Sequence, residues 1–368
     1  MNGRVADILV YHATRSFGSR ENLVRQGERV AHLYRSLEPE EAAALARLAV
    51  EGTEPTAMAE SDMILRCLGC LRPGSLTGHH EALIHRGLFY PPVIYHRAGP
   101  DIARRLLDRL PGEPMNHVLC ALAWVGGEDF EAALRSWREQ PPAWAKELDL
   151  PPERYAHQAG WELDREGHRR DLTTPTCRPL VPPHEVPGEV TGVRFLEGHE
   201  GACGWCGRPL TTLLDIDLET YPMVHVTPFQ GRLRIAACEV CSCYGTVFTK
   251  VDMKGSFAWH GSNERPDDLP EPDEEWETLP RHGLAPGPRP RDPVESADWL
   301  VPGVSFSQLG GHPTWIQDAE YPECPDCHQT MPFVGQISNE DCQEFGEGIY
   351  YLFACGRCGV TATGYQQS

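Results

Sequence analysis

Four Cys-x-x-Cys pairs fall in the second half of the chain: Cys203-Gly-Trp-Cys206 with Cys238-Glu-Val-Cys241, then Cys324-Pro-Asp-Cys327 with Cys355-Gly-Arg-Cys358. Zinc takes four thiolates at about 2.3 Å, and a two-residue gap lets one tight knuckle supply two adjacent corners of a tetrahedron. Two pairs complete one site. Cys203, Cys206, Cys238 and Cys241 are therefore expected to hold one structural Zn2+, and Cys324, Cys327, Cys355 and Cys358 a second. The 31 and 27 residues between paired knuckles leave room for a β-hairpin, a zinc-ribbon-like layout. Cys243, in Cys241-Ser-Cys243, offers a competing ligand to Cys241. A lone Cys-x-x-Cys is open to a thioredoxin-type redox reading; four in matched pairs are better read as metal knuckles. Four cysteines also close each site, which argues against catalysis by the metal.

The two sets read as copies. Aligning Cys203 with Cys324 places Leu210 over Met331, Leu213 over Val334 and Ile216 over Ile337; aligning Cys238 with Cys355 places Ile235 over Leu352 and Ala237 over Ala354. Offsets of 121 and 117 residues point to an internal duplication with a small length change between knuckles. Chance similarity between two ribbons is the alternative.

The first half has a different texture. From Glu21 to Leu172 apolar residues recur at helical spacing, as in Ile102, Leu106, Leu107 and Leu110, or Phe130, Leu134 and Trp137. Gly99-Pro100, Pro111-Gly112, Gly126-Gly127 and Pro141-Pro142 punctuate the segments. Short helices in antiparallel pairs suggest a HEAT-like α-solenoid, with an irregular bundle as the alternative. The stretches Ala121-Leu-Ala-Trp-Val-Gly126 and Ser136-Trp-Arg-Glu-Gln-Pro-Pro-Ala-Trp144 resemble HEAT-like segments of bacterial proteins. His80 and His85 are five apart, roughly 140° around a helix, so they cannot grip one ion as a zinc-protease pair four apart does. Cys67, Cys70 and Cys120 sit in apolar helical stretches and read as core thiols.

The expected class is thus α+β, in a chain long enough for two cores. A helical HEAT-like domain spans 1–178, a first β/zinc repeat 187–261, an acidic proline-rich connector 262–302, and a second β/zinc repeat 303–368. The first boundary lies between Leu172 and Pro187, where Pro175, Pro179, Pro182, Pro183 and Pro187 crowd together. The connector holds nine prolines with Asp267-Asp268 and Asp273-Glu274-Glu275, and reads as a flexible loop with Trp276 and Trp299 as its candidate anchors.

Near the C-terminus Ser307-Gln-Leu-Gly-Gly-His-Pro-Thr-Trp-Ile-Gln317 precedes Cys324-Pro-Asp-Cys327 and Met331-Pro-Phe-Val-Gly-Gln-Ile337, and Tyr350-Tyr-Leu-Phe-Ala-Cys355 returns. This resembles the bacterial YwqG-like family and the related eukaryotic programmed-cell-death-protein-two family, whose hallmark is a Gly-Gly-x-Pro-x-Trp turn before a Cys-x-x-Cys and a strand. The resemblance covers about 304–368 and is faint over 190–260, where Gly-Gly-x-Pro-x-Trp is absent. It implies a duplicated β-fold and little catalysis, and the eukaryotic relatives look like chaperones for a basic ribosomal protein. Gly310, Gly311, Pro313 and Trp315 are then structural, the glycines permitting a tight turn and the indole filling core.

Charge narrows the function. The net charge is −20, and residues 179–368 hold 11 Lys and Arg against 28 Asp and Glu, whereas residues 1–178 hold 22 against 25. Phosphate binding needs a surplus of cations, so the acidic half argues against nucleic acid and for a basic protein partner. No membrane-length apolar run, export signal, P-loop, dinucleotide fingerprint, nucleophile elbow or zincin motif is visible. Fourteen cysteines without an export signal suggest reduced thiols and a cytoplasmic protein. The expected function is a non-enzymatic, zinc-stabilised protein-binding protein that masks or chaperones a basic partner, immunity-like or chaperone-like. The alternatives are an enzyme with an unrecognised active site and a zinc-ribbon nucleic-acid-binding protein.

Overall fold

The computed structural model describes residues 3–14, 20–52, 55–112, 114–188, 190–198, 201–219, 231–252, 254–269, 281–343 and 346–368. The chain is mixed α and β and divides into two units, Met1–Asp171 with Val294–Val304, and Leu172–Pro293 with Ser305–Ser368.

The first unit carries α1 (Gly3–Thr14), α2 (Arg20–Arg35), α3 (Pro39–Glu51), α4 (Pro55–Leu71), α5 (His80–His85), α6 (Pro100–Leu107), α7 (Met115–Val125) and α8 (Glu128–Glu139). Local sequence sets their ends. At α3 the Glu41 carboxylate accepts the Glu38 backbone N–H at 2.8 Å, with Pro39 in the first turn, where its missing N–H costs nothing. Gly126 and Gly127, both at positive φ, break α7 from α8. Ile102, Ala103 and Leu106 form the buried face of α6.

Two expectations change here. The helical reading ran to Leu172, but the unit closes on a hairpin of β1 (Trp161–Leu163) and β2 (Arg169–Asp171). Strands of three residues are too short for alternation to register in sequence. Trp161 anchors the hairpin: its indole N–H donates to the Ala123 carbonyl at 2.9 Å and its ring packs edge-on against Phe130. The second change concerns the connector. Residues 270–280, with Asp273, Glu274, Glu275 and Trp276, lie outside the described residues, but 294–304 belongs to the helical unit. Val294, Val301 and Val304 are buried there, whereas Trp299 is 37% exposed, and polar contacts add to the attachment. Asp298 takes the buried Arg66 guanidinium at 2.6 Å and Glu295 takes Arg35. Gly27 and Gly303 meet so closely that a Cβ on Gly303 would lie 2.2 Å from the Gly27 carbonyl carbon.

The second unit holds β3 (Thr174–Val181), β4 (Val193–Glu197), β5 (Thr211–Asp217), β6 (Arg232–Ala237), β7 (Val247–Val251), β8 (Phe257–Trp259), β9 (Ala285–Pro286), β10 (Gln308–Gly311), β11 (Phe333–Ser338), a short α9 (Asn339–Cys342), β12 (Ile349–Cys355) and β13 (Val360–Gln366). Among the described residues, one antiparallel sheet runs β8-β7-β13-β12-β11-β10-β3-β9 and another β4-β5-β6. The proline-rich break is therefore partly a strand: β3 pairs with β10 on one side and, through Leu180 and Val181, with β9 on the other, where the Pro179 carbonyl accepts the Gly287 N–H at 2.8 Å, a role that needs no N–H from the proline.

The two sheets enclose a common core. Leu213, Ile216, Leu233 and Ile235 meet Leu309, Val334, Ile337 and Leu352 in one cluster of buried side chains. The hairpins β5–β6 and β11–β12 share their register: Leu214 faces Ile235 as Gly335 faces Leu352, and the register shifts between Thr212 and Leu214 as it does between Phe333 and Gly335. They diverge in what they bury on the other face. Asp215 is held by Arg232 at 2.5 Å, Arg194 at 3.0 Å and Arg234 at 3.1 Å, whereas Gln336, at the matching place, bonds Thr314 and the Phe306 carbonyl.

The motif glycines also differ from expectation. Gly310 and Gly311 lie in β10, both at positive φ, where the pairing to β3 shifts register; they form a bulge within a strand, not a turn.

Candidate metal centres

Each set of four cysteines converges. Cys203, Cys206, Cys238 and Cys241 place their sulfurs within 4.8 Å of one another, and so do Cys324, Cys327, Cys355 and Cys358. The first Cys-x-x-Cys of each set precedes a strand and the second ends the returning strand, so the hairpin brings two knuckles together.

The knuckles are built alike. The Cys203 N–H donates to the Arg208 carbonyl at 2.7 Å and the Gly207 N–H to the Cys203 carbonyl at 2.8 Å; Cys324 N–H to Gln329 and His328 N–H to Cys324 repeat this at 2.8 Å each. Gly207 and His328 share the left-handed conformation that the tight turn demands. In the second knuckles, the Ser242 N–H reaches the Cys238 carbonyl and the Gly359 N–H the Cys355 carbonyl.

The spacing fits a tetrahedral ion. Bonds of about 2.3 Å to a central zinc put neighbouring sulfurs about 3.8 Å apart. Cys206 and Cys238 lie 3.6 Å apart and Cys327 and Cys355 3.7 Å, far beyond the roughly 2.05 Å of a disulfide. None of the fourteen cysteines takes part in a disulfide. Protonation follows the crowding. The Cys238 S–H bonded to Cys203, helped by the Trp205 and Cys206 backbone N–H groups, brings the Cys203 thiol down to about 5. Cys238 is pushed up, by that same bond and by burial. Burial raises Cys327, yet the Gln329 N–H and its three thiol neighbours outweigh burial and lower it; burial pushes Cys358 up to about 11. Within each cluster the crowding therefore favours ionisation of one thiol, Cys203 in the first and Cys327 in the second, and metal binding displaces the protons of coordinating thiols.

Against known proteins, the chain is 36% identical over 342 residues to the uncharacterized protein YpfL of Salmonella typhimurium, an alignment covering 91% of this chain and 79% of the relative. The chain belongs to the YpfL family. No protein-family model matches it, and no solved structure does.

In this YpfL-family chain Cys241 joins the first cluster, while Cys243 is exposed and points at the Glu239 carbonyl. Cys67 and Cys70 are buried in α4 and belong to neither cluster. His80 is buried against Tyr95 with Nε2 3.1 Å from the Ile94 carbonyl, so it serves packing in the helical unit. Trp315 stacks at 4.6 Å on Tyr351, in the apolar cluster that also contains Cys324 and Cys355. No helix among the described residues is long and apolar enough to cross a membrane.

Sequence reasoning missed the charged neighbours of the second cluster. Asp326, inside the Cys324–Cys327 knuckle, pairs with Lys250 of β7 and lies 3.2 Å from His260, just after β8. These residues are more than 60 positions from the knuckle, and no local spacing signals the contact.

Proposed function

We propose that the chain is a non-enzymatic, zinc-stabilised protein-binding protein that masks a basic partner. The observation that carries this is charge: residues 179–368 hold 11 cations against 28 anions, in the same half as the two all-cysteine clusters. Sulfur-only tetrahedral donor sets suit zinc, and a closed set has no open position for substrate. Loading each cluster with one Zn2+ and four thiolates adds −2, which takes that half from −17 to about −21. Such a field attracts a basic protein and speeds its encounter.

The shared register and bulges of β5–β6 and β11–β12, at offsets of 121 and 117 residues, support an internal duplication. Duplication in turn favours kinship with the YwqG-like family, whose Gly-Gly-x-Pro-x-Trp motif is met at Gly310, Gly311, Pro313 and Trp315. The succession of short helices α1 to α4 is compatible with a HEAT-like arrangement. Affinity capture with the full chain should return partners of high isoelectric point whose association slows as added salt shortens the screening length below its physiological value of about 8 Å. Neutral or acidic partners, or association insensitive to salt, would contradict this function.

A further inference from the structure

The hairpin of β7 and β8 leaves the first cluster and reaches the second. It begins at Val247, shortly after Cys241, and pairs along β13, with Thr249 and Thr361 sharing a hydrogen bond of 2.6 Å. The Val251 N–H donates at 2.7 Å to the carbonyl of Gly359, the residue after Cys358. On the return strand, Trp259 lies edge-on to Trp205 with ring centres 5.4 Å apart. The same indole covers Gly204, where a Cβ would sit 2.5 Å from its Nε1. Both Gly204 and Trp205 belong to the Cys203–Cys206 knuckle. The next residue, His260, meets Asp326 of the Cys324–Cys327 knuckle, with its other nitrogen 2.7 Å from the Ser262 hydroxyl, and Lys250 takes the second Asp326 oxygen. The apolar side chains divide likewise, Val247 and Phe257 with the first cluster and Phe248 with the second.

We propose that this hairpin couples the two clusters, so that zinc in one raises the affinity of the other. The coupling rests on the reading of both clusters as zinc sites. An ion shared by four sulfurs stabilises the turn of each knuckle, and Trp259 seats on the formed first knuckle. A seated Trp259 fixes β8, which fixes His260 and, through the β7 pairing, Lys250; these hold Asp326 and with it the second knuckle. Linkage makes the effect reciprocal.

The test is a zinc titration of the full chain against a chromogenic chelator. With Cys203→Ser and Cys206→Ser, only the second cluster can load, and its affinity should fall about tenfold below that in the intact chain. Adding His260→Ala and Lys250→Ala to both chains should shrink the difference to about twofold or less. Gly204→Ala covers the case in which the serine chain fails to fold. It keeps all eight cysteines but pushes Trp259 off the first knuckle, so two zinc ions should still bind, the second cluster several-fold more weakly. Equal second-cluster affinity with and without the first, a difference that survives removal of His260 and Lys250, or unchanged affinity in Gly204→Ala overturns the coupling alone. An intact chain that takes up no zinc overturns the zinc reading as well.

Discussion

Leu213 and Val334 stand 121 residues apart in sequence, yet each is the residue passed over by the β-bulge of its own cluster-bearing hairpin, and both are fully buried in the single core between the sheets. The bulge leaves each side chain without a paired neighbour across the hairpin and turns it into the space between sheets.

Shortening one of this pair should therefore weaken the whole second unit. Leu213→Ala removes a fully buried side chain from a shared core, at a cost of about 2 to 5 kcal/mol. Urea unfolding followed by tryptophan emission measures it. A loss under about 1 kcal/mol would mean that the site collapses around the missing methyl groups.

Gly310 is fixed by its surroundings as well as by its φ of 65°. A Cβ there would lie 2.3 Å from the Thr176 carbonyl oxygen, a backbone atom that cannot swing aside. Gly310→Ala should lower stability by about 2 to 4 kcal/mol, combining left-handed strain with overlap. Thermal unfolding of the variant checks this, and an unchanged midpoint would contradict the bulge geometry.

In the helical unit, Arg66 and Asp298 are each 7% exposed and tie segment 294–304 to α4. Asp298→Ala would leave a buried guanidinium that still meets Asp62 at 2.8 Å and lies over the Tyr90 ring. Stability should drop by about 2 to 3 kcal/mol, below the usual cost of orphaning a buried charge because Asp62 stays. Protease should also cut within 294–304 sooner than in the native chain; equal cutting rates would show that the tether is elsewhere.

What could be read in advance follows from range. The cysteine clusters were legible because knuckle spacing is a local property, two residues wide, and the same spacing recurs at Cys203 and Cys324. The helices of the first unit were legible from three-to-four periodicity, as at Ile102 and Leu106, although α6 ends at Leu107, short of Leu110. Segment 294–304 was not, because its polar anchors are single residues, Glu295 and Asp298, meeting partners more than 200 positions away. The same holds for His260 and Lys250 at Asp326. The strand β3 was hidden by its own prolines, which signal a break locally; on the β9 side Pro179 serves as an acceptor, its carbonyl taking the Gly287 N–H.

The central claim is that the second unit is held by two zinc ions in sulfur-only sites, and native mass spectrometry of the full chain tests it most directly. The expected result is a single dominant species carrying two Zn2+, with the eight cluster thiols protected from alkylation until a chelator strips the metal and the second unit unfolds. A folded chain that carries no metal, with Cys203 and Cys324 freely alkylated, would contradict it.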